Sequence, residues 1–274
     1  MKRWLKPVRY FLVLLLALHI VIFLALIFQD LLIFRGKEVH PDYKLKILVP
    51  HEEYLWFDTS GKYDAVLHNV IYPPRGKTKG FVFYLHGTFR NVEYQTQYVP
   101  YFTERGYAVW MMDYRGYGKS RGKLTEKNLI DDANLMYETF LDYFNIDSKD
   151  AIVVGRSIGA AIAVQLAAEK QPGKLGLIVP FYNLPDLFKT YVPWFPFHLF
   201  MNNSFRNELY LPKYEGQVAI FYGANDLIIP ASNTRKLLPL LKPGDEYHEY
   251  ARGTHVNVTD MSDYQVDMED FLKK

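Results

Sequence analysis

The sequence contains no cysteine. Disulfides, thiolate metal sites and cysteine nucleophiles are therefore excluded, while the redox compartment stays open, because a chain without thiols suits oxidising and reducing surroundings alike. There is no HExxH segment and no dense histidine cluster, so no metal is expected. No glycine-rich stretch has the lysine of a phosphate loop or the spacing of a dinucleotide fingerprint, and no cofactor is expected either. An excess of one charge is missing too: 32 Lys plus Arg face 30 Asp plus Glu, a formal net charge of +2. Lys2, Arg3, Lys6 and Arg9 all precede the first acidic residue, so the remainder is slightly acidic and offers no basic surface for nucleic acid. Apolar material is plentiful. Hydrophobic types make up 49% of the 274 residues, enough for the core of one large domain.

The apolar residues first appear as a run. Residues 11–28, FLVLLLALHIVIFLALIF, hold no formally charged side chain and are interrupted only by His19. As a helix this stretch is about 27 Å long, close to the ~30 Å of a bilayer's hydrocarbon layer. Residues 1–9 then read as a basic tail, 10–34 as a retained membrane anchor contacting the bilayer, and 35–50 as a polar stalk. A cleaved signal peptide is the rival reading, but no small-x-small site follows the run. Basic residues flank the span on both sides; the compact N-terminal cluster favours a cytosolic N-terminus with the body, 51–274, on the extracytoplasmic side.

In the body, short apolar runs alternate with helical patterns. YLWF at 54–57 and AVLHNVIY at 65–72 suggest an antiparallel start around a Ser60-Gly61 turn. FVFYL at 81–85, YAVWMMD at 107–113, AIVVG at 151–155, KLGLIVP at 174–180 and QVAIFYG at 217–223 read as strands buried on both faces. Residues 125–144, 157–170, 231–241 and 257–271 have helical spacing. This repetition predicts an α/β fold with a mostly parallel central sheet covered by helices.

One phrase carries chemistry: Gly155-Arg156-Ser157-Ile158-Gly159, between a strand pattern and a helix pattern. A serine at a sharp strand-to-helix turn needs minimal bulk two residues to either side, and the turn aims the Ile158 N–H at a developing oxyanion. Such a serine requires a base, oriented by a carboxylate. Of eight histidines, His255 in Gly253-Thr254-His255 occupies a loop near the C-terminus, whereas His248 lies in a strand-like segment. Asp226 follows the strand at 217–223 and is the expected acid, giving the order Ser157, Asp226, His255. The second oxyanion donor is expected from His86-Gly87-Thr88, as the Thr88 N–H, with His86 orienting the loop. Asp113 and Arg115 are expected to pair and hold the loop they begin. Asn202-Asn203-Ser204 and Asn257-Val258-Thr259 match glycosylation acceptors, a pattern common by chance.

Taken together, His86-Gly87, DYRGYGKS at 113–120, GRSIG at 155–159, Gly223 to Asp226 with Pro230, and Gly253-Thr254-His255 resemble the α/β-hydrolase superfamily over about residues 54–272. More narrowly, GRSIGAA, DYRGYGKS, the PWFP segment and the apolar leader resemble its membrane-associated serine-hydrolase branch, related to the yeast bud-emergence protein and mammalian acyl-protein thioesterases. That branch often has HGNAGN where this chain reads HGTFRN. The resemblance implies an α/β-hydrolase fold and cleavage of carboxylic esters or thioesters through a covalent acyl-enzyme. An insertion at about 181–211 is the expected cap: residues 181–200 contain eight aromatics and three prolines. Trp194, Phe195, Phe197 and Phe200, with Phe89 and Arg156 beside the chemistry, are the candidate pocket residues for a hydrophobic ester or thioester; core packing of the insertion or contact with a membrane surface is the other reading of its aromatics, and a structural ion pair the other reading of Arg156. Peptidase or amidase chemistry on the same fold, and a catalytically inactive membrane-anchored binding protein, remain as alternatives.

Overall fold

The structure, a computed structural model, describes residues 2–58 and 64–274; the expected Ser60-Gly61 turn lies outside them. Eight strands make one sheet: β1 Glu52–Phe57, β2 Val66–Tyr72, β3 Gly80–Leu85, β4 Tyr107–Met112, β5 Ala151–Arg156, β6 Lys174–Ile178, β7 Gln217–Gly223 and β8 Glu246–Tyr250. Their spatial order is β1-β2-β4-β3-β5-β6-β7-β8, with β2 antiparallel to both neighbours and every other pair parallel. The short apolar runs read from sequence thus become strands, and their lack of polar alternation follows from burial on both faces. Along β3, Phe83 and Leu85 enter one core cluster while Val82 and Tyr84 enter the other.

Six helices matter here: α1 Lys2–Ile27, α2 Gln29–Ile33, α3 Glu126–Phe144, α4 Ile158–Lys170, α5 Leu184–Tyr191 and α6 Ser262–Lys273. Helices α3 and α4 cover one face of the sheet, and α6 covers the other through Tyr264, Met268 and Phe271. Thr125 caps α3 by accepting a hydrogen bond from the Asn128 N–H at 3.1 Å, which satisfies one of the orphan donors of its first turn. The helix expected at 231–241 is only one α-turn, Ala231–Thr234, continued as a 3-10 helix over Arg235–Leu240. Pro239 explains the change, because a proline inside an α-helix removes a donor and clashes with the carbonyl four residues back.

Among the described residues, one helix is long and apolar enough to cross a membrane, with Lys6–Leu24 as its apolar window. Only 6% of that window is buried, unlike the core helix of a soluble protein. The expected stalk is not free-standing. Arg35–Gly36 pairs in parallel with Phe89–Arg90, the Lys37 carbonyl accepts from Gly118 N at 2.9 Å, and Val39 N donates to the Gly118 carbonyl at 2.8 Å. Leu45, Ile47 and Val49 then pack partly buried against the core beyond.

The loop after β4 also differs from expectation. Asp113 and Arg115 do not pair: Arg115 makes a bidentate bond to Asp132 on α3 at 2.7 and 2.6 Å, and Asp113 accepts from Val92 N at 2.8 Å and meets His68 Nδ1 at 2.7 Å. A planar guanidinium fits two carboxylate oxygens at once, and Asp132 lies one helix away on the covered face. Burial raises the Asp132 carboxyl above its ordinary value although Arg115 pulls the other way. Arg115→Met alone should therefore destabilise the fold by about 3–5 kcal/mol, whereas the same change with Asp132→Leu should recover most of the loss. Thermal melting of the detergent-solubilised single and double variants checks this; equal losses in both would refute it.

Candidate active site

Ser157 sits where β5 ends and α4 begins, with φ 56° and ψ −120°. A serine at positive φ carries strain of about 1–3 kcal/mol that its surroundings must enforce. They do so by close approach. A Cβ on Gly159 would stand 2.0 Å from the Leu85 carbonyl oxygen, and one on Gly155 would stand 2.4 Å from the Gly159 carbonyl oxygen. The Ser157 N–H bonds the Ile178 carbonyl at 2.9 Å, fixing the turn to β6. Ile158 opens α4, so its N–H has no intrahelical acceptor.

Asp226 lies just past β7 and is buried, with one oxygen accepting from the backbone N–H groups of Ile228 and Ile229, both at 2.8 Å. Its other oxygen meets His255 Nδ1 at 2.8 Å. That bond leaves Nε2 as the free nitrogen of the ring and makes Nδ1 the protonated one. Backbone bonds stitch the two loops: Ala224 N to the Tyr250 carbonyl and Asn225 N to the Gly253 carbonyl, both at 2.9 Å. The Asn257 side chain accepts from Thr254 N at 2.7 Å, so this acceptor-like asparagine is engaged in shaping the histidine loop. Arg156 reaches from the residue before Ser157 to the His255 carbonyl oxygen. Arg156, read from sequence either as a pocket residue or as a structural ion-pair partner, is buried, with its guanidinium over the Tyr98 ring, and it ties the serine turn to the histidine loop.

A second His–Asp pair, unsuspected from sequence, lies between His68 and Asp113. Both ring nitrogens of His68 are engaged, Nδ1 by Asp113 and Nε2 by Glu53 at 3.2 Å, and its ring is fully buried. It has no nitrogen left for a hydroxyl. His248 stacks on Phe221 at 5.3 Å and pairs with Asp267 at 3.2 Å, the structural role its strand position suggests. Burial pushes the His86 imidazole down, so it stays neutral, with Nδ1 2.6 Å from the Gly87 carbonyl.

The loop after β3 comes close to the serine: a Cβ on Gly87 would lie 3.6 Å from Ser157 Cβ. No hydrogen bond among the described residues uses the Thr88 N–H. The rest of Thr88 is held on all sides. Its hydroxyl donates to the Ile33 carbonyl at 2.5 Å and accepts from Arg35 N at 3.0 Å, while Tyr117 Oη donates to its carbonyl at 3.1 Å. Tyr114 Oη likewise donates to the His86 carbonyl at 2.7 Å. The tyrosines of the DYRGYGKS loop thus set the path of the loop that carries Thr88. Sequence gave no signal for the part played by residues 33–35.

The insertion at 181–211 folds as α5, a 3-10 turn at Phe197–Leu199 and a short helix at Asn207–Tyr210. Glu126, at the start of α3, accepts from Ser204 N at 2.7 Å and holds the returning limb. Phe197 is buried against Phe188 and Phe195, at 5.6 and 4.8 Å. The other expected pocket aromatics are not enclosed: Phe89, Trp194 and Phe200 are exposed. A cavity of about 510 Å³ has Trp194, Phe195 and Phe197 in its wall, together with Asp186, Lys189 and Arg206. Ser157, Asp226 and His255 are not among the residues of that wall, so the insertion's aromatics split between its own interior and its surface.

Residues 76–216 match the family described as serine aminopeptidase, S33. An uncharacterised protein of Mycobacterium tuberculosis is 30% identical over 133 residues, 48% of this chain and 47% of that protein. The human alpha/beta hydrolase domain-containing protein 17B is 31% identical over 130 residues, 46% of this chain and 42% of that one. The chain spans about half the length of the curated relatives it matches. In fold it is similar to the Pyrococcus furiosus esterase Pf2001, with a TM-score of 0.67 at 18% identity over 88% of this chain and 97% of that one. With the sheet order and the helix-heading serine in agreement with the family match over residues 76–216, which ends before Asp226 and His255, the chain belongs to the serine aminopeptidase S33 family of the α/β-hydrolase superfamily.

Proposed function

We propose that the protein is a membrane-anchored serine hydrolase that cleaves carboxylic esters or thioesters of hydrophobic acyl groups, with Ser157 as nucleophile, His255 as base and Asp226 as its orienting acid. The observation that carries this reading is the 2.8 Å bond from His255 Nδ1 to Asp226, which leaves Nε2 unengaged on a loop tied by Arg156 to the strained Ser157 turn. His255 takes the Ser157 proton as the hydroxyl oxygen attacks the carbonyl carbon. The oxyanion is held by the N–H groups of Ile158 and Thr88, each such donor being worth about 2.7–4 kcal/mol of barrier. Collapse of the tetrahedral species expels the alcohol or thiol, which receives the proton from His255. Water, deprotonated by His255, then attacks the acyl-enzyme and releases the acid.

The apolar helix Lys6–Leu24, almost wholly unburied by the body, supports retention as an anchor over burial in a core, and the N-terminal basic cluster favours the body lying on the extracytoplasmic side. Amide cleavage is the second reading, because the matching family is described as an aminopeptidase. The exposed side chains beside the pair, Leu227, Ile228 and Val256, are apolar, which suits an acyl chain better than the ammonium group an aminopeptidase must hold.

Ser157→Ala should abolish labelling by a fluorophosphonate with the melting temperature nearly unchanged, since alanine keeps the Cβ that strains the positive-φ turn; labelling that persists would remove Ser157 from the role. His255→Ala and Asp226→Ala should each lower turnover of a p-nitrophenyl ester by about 10³-fold or more. Thr88→Val keeps the backbone donor but cuts the hydroxyl's bonds to Ile33 and Arg35, so kcat should fall about tenfold at little change in KM. Across a panel of p-nitrophenyl esters, acyl thioesters and aminoacyl-anilides, medium or long acyl chains should be preferred over acetyl; turnover of the anilides alone would select the aminopeptidase reading.

A further inference from the structure

We infer that an exposed apolar face, formed by Trp194, Leu199 and Phe200 of the insertion and by Leu227 and Ile228 of the acid loop, docks on a phospholipid bilayer surface, so that substrate enters from the leaflet. This rests on the anchor reading above. The apolar window ends at Leu24, and five residues later Gln29 is bonded to the body: its side chain accepts from Asn202 N at 2.8 Å and donates to the Phe200 carbonyl at 3.4 Å. Asp30 then accepts from the Asn203 side chain at 2.6 Å. The backbone stays nearly helical across the join, with Phe28 N bonded to the Leu24 carbonyl and Leu31 N to the Phe28 carbonyl, both at 3.0 Å. The apolar run itself continues through Phe28, so at 1.5 Å per residue the body begins about 1.5 Å along the helix from its end, at the hydrocarbon edge of one leaflet. No slack separates them.

The side chains at that level are those a bilayer interface accepts. Trp194, Leu199, Phe200, Leu227 and Ile228 are 65, 68, 51, 86 and 56% exposed, more than packing inside the protein explains. The segments that carry them are tied together. Phe200 contacts Phe195 at 5.5 Å, and Tyr191 Oη donates to the Leu227 and Ile228 carbonyls at 2.7 and 3.0 Å, joining the acid loop to the insertion. The acid-loop end of this face abuts the pair, since the Ile228 N–H bonds the Asp226 carboxylate that meets His255. Tryptophan at the level of the headgroups and aliphatic side chains just below it are the arrangement by which a surface dips into a leaflet.

The cysteine-free chain allows a direct test. Full-length protein with a single Cys at Leu199, Leu227, Leu15 or Val266 is spin-labelled and reconstituted into phosphatidylcholine vesicles, and its accessibility to oxygen and to a polar nickel complex is measured. Labels at 15, 199 and 227 should favour oxygen, and the label at 266, on α6, should favour nickel. If 15 lies in hydrocarbon while 199 and 227 face water, the docking is wrong and the anchor stands. If 15 also faces water, the anchor reading fails and takes the docking with it. In a second readout, Leu199→Asp should raise KM about tenfold for an ester embedded in the vesicles and leave a short soluble ester unaffected, the loss expected for one apolar side chain removed from the interface. Equal losses on both substrates would overturn the proposal.

Discussion

The candidate active site of this molecule depends on the backbone reversal at Ser157. Strand β5 and helix α4 meet there at a φ of 56°, and the reversal exists only because two flanking glycines let carbonyl oxygens come within distances no Cβ tolerates. That closeness fixes the serine relative to three strands at once: β5 through the chain, β6 through the bond to the Ile178 carbonyl, and β3 through Leu85 over Gly159. A hydroxyl carried on such a turn has little freedom to leave its position. In return the turn leaves the first N–H groups of α4 without acceptors, at the place where an attacked carbonyl would need them.

The other loops are ordered by reference to that turn, through bonds that are mostly not between the expected partners. Arg156 reaches the histidine loop, Tyr114 and Tyr117 reach the loop with Thr88, and Asp113 is committed to Val92 and His68 instead of to Arg115. The tyrosines are buried and act as rigid struts with one polar end, which is the setting in which a phenol's hydrogen bond is dependable. Two His–Asp contacts of nearly equal length, 2.7 and 2.8 Å, therefore differ in kind. His68 has both nitrogens taken and cements β2 to the β4 loop; half-buried His255 has only Nδ1 engaged among the described residues, which suits the role of base proposed for it.

Much of this was legible in the sequence because it is local. Strands buried on both faces show as unbroken apolar runs, and the serine turn shows as glycines two residues to either side. The expected acid and base, Asp226 and His255, are read from their places after β7 and after β8, where chain order and loop position leave few candidates, and the two side chains meet at 2.8 Å. What failed to show is what joins distant segments. Arg115 bonds Asp132 seventeen residues on, in place of its near neighbour, because a helix brings the carboxylate to it. The aromatics of 181–200 advertise an apolar cluster, but composition cannot divide those that pack on one another, such as Phe188 and Phe197, from those left outside, such as Trp194 and Phe200. The 3-10 continuation at 235–240 was readable from Pro239 alone.

The segment between the apolar helix and the first strand was the least legible, and it bears on the mechanism most directly. Residues 35–50 look like a polar spacer because they have no hydrophobic period, yet their bonds run through main-chain atoms that composition does not report. Ile33 and Arg35 hold both ends of the Thr88 hydroxyl, and Lys37 and Val39 bracket Gly118. The donor proposed for the oxyanion thus sits on a loop whose outer side is the segment that follows the apolar helix. That segment cannot lengthen without stripping hydrogen bonds from Thr88. The place of the apolar helix on the body and order in the proposed oxyanion loop are consequently set by the same few residues, which is the economy that a spacer-like sequence conceals.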